Sequence, residues 1–258
     1  MSDRELAVLG EQDACKEMAL ERIAWLKPYY EEAGITIYHA DCRNVLPYLP
    51  KVDLVLTDPP YGINAARKRN SQQYGWTDFE VVGWDVERPS PELIKLAVLG
   101  GTAAIVWGGN YFSDALVPSD KWLVWDKGQT DFSLADVELA WCSWNGAARR
   151  IMLPRSMALQ DGKVHPTQKP LAVMAWCIAQ AGRPKTILDP FMGSGTTLVA
   201  AKNFGCRAIG IEIEERYCEI AIERLRQDVL PFEPVPTQIA EQVELFPYEK
   251  KAGVITGP

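Results

Sequence analysis

Two short segments, each delivered by an apolar run, most constrain what this chain can become. Asp58-Pro59-Pro60-Tyr61 follows Val52-Asp53-Leu54-Val55-Leu56-Thr57. Asp189-Pro190-Phe191-Met192-Gly193-Ser194-Gly195-Thr196-Thr197 follows Thr186-Ile187-Leu188. Runs of this kind read as buried strands. Neither following segment can continue a strand. Two prolines stop the first, and a glycine-rich turn opening a helical pattern stops the second.

Helical and strand patterns alternate along the rest of the chain. Helices are expected over 13–32, around 43–49, and over 91–99, 171–181, 195–204 and 214–228. Strands are expected over 35–38, 52–57, 102–107, 121–126, 137–144, 185–189 and 208–212. The pattern predicts one α/β domain over 1–230, with a Rossmann-like seven-stranded, mostly parallel sheet. Helices cover both faces, and one antiparallel pair lies at the edge. Residues 62–88 read as a long polar and aromatic loop, and 145–170 as irregular, with a short insert over 145–164. Pro231, Pro234, Pro236 and Pro247 break any regular element, so 231–258 is expected to be an extended tail.

The net charge of −7 argues against a protein that coats nucleic acid with a broadly basic surface, but it permits a local basic groove. Arg67, Lys68 and Arg69 form one basic cluster, and Arg149, Arg150 and Arg155 with Lys163 form another. Either can be a solvated loop; their positions after Tyr61 and before the second motif favour phosphate contact. The six cysteines include no C-x-x-C, and there are only two histidines, so no metal site is expected. The chain start lacks a basic segment followed by an apolar core, and no apolar run approaches the roughly 20 residues that span a bilayer. A reducing cytoplasm is the expected compartment.

The glycine segment is neither G-x-G-x-x-G nor a G-K-[ST] loop, so dinucleotides and triphosphates are not its first ligands. Its glycines allow a tight turn and a close approach of ligand to backbone. Glu212 ends the following strand, where an acidic side chain commonly accepts bonds from ribose hydroxyls. Asp41 ends another strand; it can accept from an adenine amino group, cap a helix, or do both. In Asp58-Pro59-Pro60-Tyr61 the prolines hold the backbone extended and give the Pro59 carbonyl a fixed direction. The Asp58 carboxylate and that carbonyl can accept both N–H bonds of an exocyclic amine. Its nitrogen can then pyramidalise, with acceptors placed where positive charge develops. Tyr61 offers a π-face for an extruded base.

These residues resemble the amino-directed, S-adenosylmethionine-dependent DNA methyltransferases of the permuted β class, in which D-P-P-Y precedes F-x-G-x-G. The resemblance covers roughly residues 35–228 and includes His165-Pro166-Thr167-Gln168-Lys169-Pro170. It implies catalytic roles for Asp58, Pro59, Pro60 and Tyr61. It also implies an S-adenosylmethionine pocket formed by Asp41, Cys42, Asp58, Asp189, Phe191, Gly193, Ser194, Gly195, Thr196, Thr197 and Glu212. Thr167 and Lys169 would lie near the methionine end. Asp58 in place of serine favours adenine N6 over cytosine N4. Double-stranded DNA is the implied partner, with base flipping, within or outside a restriction-modification system. RNA or protein methylation, or a non-catalytic binding module, are the rival classes.

The insert over 145–164 is shorter than the target-recognition regions common in that class, so site discrimination is expected to be short, relaxed, or shared with 62–88. Tyr74, Trp76 and Trp84 in that loop either wedge into the stack beside a flipped base or pack the loop onto the core. No cysteine follows a proline, so a covalent carbon-5 cytosine mechanism has no evident nucleophile. Gln242-Val243-Glu244-Leu245-Phe246 resembles the Q-x-x-L-F pentamer that binds polymerase sliding clamps. Leu245 and Phe246 can equally anchor the tail to the domain.

Overall fold

The computed structural model of the protein describes residues 26–63, 87–129, 135–154 and 168–227. The strands are β1 (Tyr30–Glu32), β2 (Ile35–His39), β3 (Val52–Thr57), β4 (Gly101–Trp107), β5 (Trp122–Asp126), β6 (Val137–Cys142), β7 (Arg149–Met152), β8 (Thr186–Asp189) and β9 (Arg207–Glu212). The helices are α1 (Cys42–Val45), α2 (Pro91–Leu99), α3 (Leu171–Gln180), α4 (Thr196–Asn203) and α5 (Glu215–Arg226). Among the described residues the strands form one sheet in the order β1-β2-β9-β8-β3-β4-β6-β5-β7.

From β2 to β4 every neighbouring pair is parallel, whereas β6 runs antiparallel to both β4 and β5. The parallel strands are apolar on both faces, as strands covered on both sides must be. Leu54, Leu56, Ile105 and Trp107 point into one core with Val173, Ile178 and Leu198. Val55, Ala104 and Val106 point into the other with Ile94 and Phe112. Thus α3, α4 and α5 cover one face, while α1 and α2 cover the opposite one.

The Rossmann-like α/β architecture agrees with the expectation, but nine strands replace seven. Of the helix predicted over 13–32, residues 13–25 lie outside the described residues, and in the described part Tyr30–Glu32 form strand β1 instead. Pro28 cannot donate within a helix, and Ala33 and Gly34 both take positive φ (51° and 80°). That pair makes the tight turn that folds Tyr30–Glu32 back onto β2. The second added strand, β7, lies within the segment expected to be irregular and pairs parallel with β5. Its exposed Arg149 and Arg150 suit an edge strand and conceal its pattern.

Candidate active site

The first-noted segments meet because β3 and β8 are parallel neighbours. Beyond β3 the sheet continues to β4, and beyond β8 to β9, so the chain departs in opposite directions. A crevice opens at the carboxyl ends of such a pair. Asp53 helps to lock the register: its Oδ2 accepts from the Lys185 and Thr186 backbone N–H groups at 2.8 and 3.0 Å. The Asp53 backbone N–H donates in return to Thr186 Oγ1 at 2.9 Å. A cavity of about 580 Å³ occupies the crevice, lined by Asp41, Asp58, Lys169, Asp189, Phe191 and Glu212 among others.

On the β8 side the glycine turn is held from within. The buried Asp189 carboxylate accepts from Thr57 Oγ1 at 2.7 Å, Thr197 Oγ1 at 2.6 Å and the Phe191 N–H at 3.1 Å. Burial raises its pKa to about 6. Glu212 accepts from the Gly193 N–H through Oε2 and from the Glu214 N–H through Oε1, both at 2.9 Å. Burial raises its pKa as well. Gly193 has φ +50°, and nothing lies within 4 Å of where a Cβ would stand, so a bound group can approach its backbone. Arg224 Nη1 clamps the turn from α5, donating to the Ser194 carbonyl at 2.6 Å and to Ser194 Oγ and Thr196 Oγ1, both at 3.1 Å.

On the β3 side, Tyr61 OH donates to Asp58 Oδ1 at 2.5 Å, and Lys169 Nζ donates to Asp58 Oδ2 at 2.6 Å. Lys169 also reaches Tyr61 OH at 3.2 Å and Glu138 Oε2 at 3.0 Å. Glu138 Oε1 is paired in turn with Lys127 Nζ at 2.7 Å. Burial raises the Asp58 and Tyr61 pKa values. Burial opposes charge on Lys169 too, but Asp58 and Glu138 outweigh it, so its pKa stands well above the usual lysine value. Burial likewise disfavours the Glu138 anion, yet Lys169 and Lys127 hold it down to about 2. The Tyr61 ring stacks on Tyr111 with centroids 4.8 Å apart and planes 14° from parallel.

Of the residues expected to form the site, Asp41, Cys42, Asp58, Pro60, Lys169, Asp189, Phe191, Gly193, Ser194, Thr196, Thr197 and Glu212 line one cavity. Neither the buried Pro59 nor Tyr61 lines it. Nor does Gly195; a Cβ there would meet Ala221 Cβ at 2.7 Å, so it brings α4 against α5. Asp41 caps α1 by accepting from the Arg43 N–H at 2.9 Å, and it also binds the Arg43 guanidinium. Lys169 lies against Asp58.

Arg149 and Arg150, expected in an irregular segment, stand on β7, and Arg150 pairs with Asp126 at 3.1 Å. Arg149 shares a sheet row with Leu123, Ala140 and Trp107. That row runs across the end of β4, three strand spacings or roughly 14 Å over. Thr167, Arg67, Lys68, Arg69, Arg155, Lys163, the aromatics Tyr74, Trp76 and Trp84, and the tail residues Gln242, Leu245 and Phe246 lie outside the described residues.

Sequence reading missed Glu138, Lys127, Arg224 and Tyr111. A lone glutamate within Val137-Glu138-Leu139-Ala140-Trp141-Cys142 is a usable signal, since a carboxylate amid strand apolars needs a partner. Arg224 carries no such mark among the charges of α5.

A strand-end carboxylate facing a glycine turn across a switch-point crevice defines a Rossmann-like nucleoside-binding site. A family described as DNA methylase, the N6/N4 methyltransferases, matches residues 106–223. The chain is 27% identical to the type II methyltransferase M.HinfI of Haemophilus influenzae over 74% of its own length and 68% of the relative's. It is 24% identical to the type II methyltransferase M2.LlaDCHI of Lactococcus lactis subsp. cremoris, over 83% and 97%. The crystal structure of the M1.HpyAVI–SAM complex superposes with TM-score 0.52 and 25% identity, covering 75% of this chain and all of the other. The cytosine-N4-specific PvuII DNA methyltransferase shares the fold, with TM-score 0.53 at 18% identity over 79% and 90%. The chain is thus similar to methyltransferases of the N6/N4 DNA methylase family, whose signature it carries over residues 106–223.

Proposed function

We propose that the protein transfers a methyl group from S-adenosylmethionine to adenine N6 in double-stranded DNA, with the target base turned out of the stack. The observation that carries this reading is the Asp58 carboxylate standing in one cavity with Gly193 and Glu212.

The donor set fits the cofactor. Gly193 leaves its Cβ direction open. Glu212 is braced by backbone N–H groups and faces the cavity, where its remaining acceptor capacity suits a ribose diol. Asp41 and Phe191 complete the nucleoside end, and the resemblance puts Lys169 toward the methionine end. When bound, S-adenosylmethionine supplies a methyl group on a positively charged sulfur.

The acceptor side is the work of Asp58, Pro59 and Tyr61. The two Asp58 oxygens bind Lys169 and Tyr61, and each keeps a second acceptor site. One accepts an N–H of the target amine; the resemblance gives the other to the Pro59 carbonyl, although Pro59 itself does not line the cavity. The amine's lone pair then leaves the ring plane and aims at the methyl group. Asp58, whose pKa burial raises, is the nearest group to take the proton that the methylated nitrogen must shed. Basic side chains near the same edge, Arg149 and Arg150 among them, meet the phosphate backbone.

The test is digestion of DNA methylated by the purified protein, followed by chromatography of the nucleosides. N6-methyladenine is expected. N4-methylcytosine in its place would reassign the base, and methyl transfer only to RNA or protein would reassign the substrate.

A further inference from the structure

Asp58 is the first member of a file of alternating charges. Lys169 Nζ stands 2.6 Å from Asp58 Oδ2 and 3.0 Å from Glu138 Oε2, and Glu138 Oε1 stands 2.7 Å from Lys127 Nζ. The file crosses three parts of the fold: Asp58 follows β3, Lys169 precedes α3, and Glu138 lies on β6 with Lys127 just after β5. The lysines are nearly sealed from water, with 5% of the Lys169 side chain and 9% of that of Lys127 exposed. Lys169 Nζ also lies 5.4 Å from the centre of the buried Trp107 ring.

A lysine has four rotatable side-chain bonds and an ammonium that bonds in any direction, so one carboxylate does not fix it. Two carboxylates from different parts of the fold constrain it further. β6 can supply the second because it extends past the end of β4. Trp107, the last residue of β4, pairs with Ala140, and Glu138 lies two residues further along β6.

We propose that Glu138 is a positioning residue for methyl transfer: by gripping the Lys169 ammonium from β6, it holds the Asp58 carboxylate in the orientation that receives the target amine. The inference rests on Asp58 being the amine acceptor, as proposed above. It adds that strands outside both motifs set the geometry of the reacting group.

Position and charge make opposite demands on the pH profile. The charged or titratable groups acting on Asp58 are Lys169 and Tyr61, which favour its anion, and Glu138 and Asp189, which oppose it. Asp58 acts ionised, so activity falls as pH drops through its pKa. If Glu138 mattered only as a nearby negative charge, its removal would ease ionisation and move the acid limb to lower pH. If Glu138 holds Lys169 in place, its loss lets the cation leave Asp58, and the limb moves to higher pH.

The experiment measures kcat and KM against pH for Glu138→Gln and Glu138→Asp, the second keeping the charge but shortening the reach. Both are expected to lower kcat about tenfold or more while the KM for cofactor stays within roughly threefold. Both should also move the acid limb upward by about one unit. In a Lys169→Met background, Glu138→Gln should add little, since its effect runs through the lysine. A downward or absent shift in Glu138→Gln, a wild-type profile for Glu138→Asp, or full additivity with Lys169→Met would each overturn the assignment. Asp58→Ala run alongside keeps the two readings apart. Activity surviving there removes Asp58 as acceptor, whereas an inactive Asp58→Ala with an unshifted Glu138→Asp removes only the role of Glu138.

Discussion

Thr57 donates a hydrogen bond to Asp189 at 2.7 Å, although 132 residues separate them in sequence. The bond ties the last residue of β3 to the last residue of β8, and so ties the two halves of the site. Replacing Thr57 by Val leaves the buried carboxylate with one donor fewer. A loss of about 1–3 kcal/mol in unfolding free energy is expected, read as a lower urea midpoint. An unchanged midpoint would show that the bond is not carrying the junction.

The same carboxylate gives the fold a pH signature. The folded pKa of Asp189 is about 6, above the ordinary aspartate value near ~3.9. Its protonated form therefore favours the folded state. That stability is fully present below about pH 4 and is lost as pH rises through about 6. The shift corresponds to about 3 kcal/mol. Subtracting the urea-unfolding profile of Asp189→Asn from that of the wild type isolates the contribution. The difference should fall between pH 4 and 7 and then level off; a flat difference would mean that the side chain ionises as freely folded as unfolded.

Asp58→Ala removes the carboxylate proposed to meet the amine and leaves the glycine turn intact. Methyl incorporation should drop by about 10³-fold or more, with cofactor affinity by calorimetry nearly unchanged. Equal activity in the variant would refute the acceptor role.

Glu212→Ala should do the reverse. The glutamate both braces the Gly193 and Glu214 N–H groups and faces the cavity. Charge-assisted bonds of this sort are worth about 1.5–3 kcal/mol, so a cofactor affinity lower by roughly 10- to 100-fold is expected. Wild-type affinity would place the nucleoside elsewhere.

Gly108→Ala probes the seat of Tyr61. Gly108 has φ +66°, and a Cβ there would stand 2.1 Å from Tyr61 Cε1. The ring must shift, and with it the hydroxyl bonded to Asp58. Transfer should slow by about 10²-fold with cofactor binding preserved. A wild-type rate would mean that the ring's placement is incidental.

The strands and helices around both motifs were legible because each is a strongly apolar run with a definite stop. Proline ends β3, and Gly193 and Gly195 open α4. Edge strands β1 and β7 were not legible, since exposed Glu31, Glu32, Arg149 and Arg150 mask their alternation. The cavity lining was largely readable from motif residues. The partners that hold it were not, because Glu138, Lys127 and Arg224 owe their roles to contacts between distant segments. Apart from the lone glutamate amid the apolar residues of β6, local pattern does not distinguish these buried charges from solvated ones until topology brings their counter-charges near.

Adjacent placement of β3 and β8 frees the site from the linear order of its parts. The Asp58 segment and the glycine turn are presented by neighbouring strand termini, whichever of them the ribosome makes first. What the crevice requires of the chain is only that these two termini finish side by side, however far apart their segments lie in sequence.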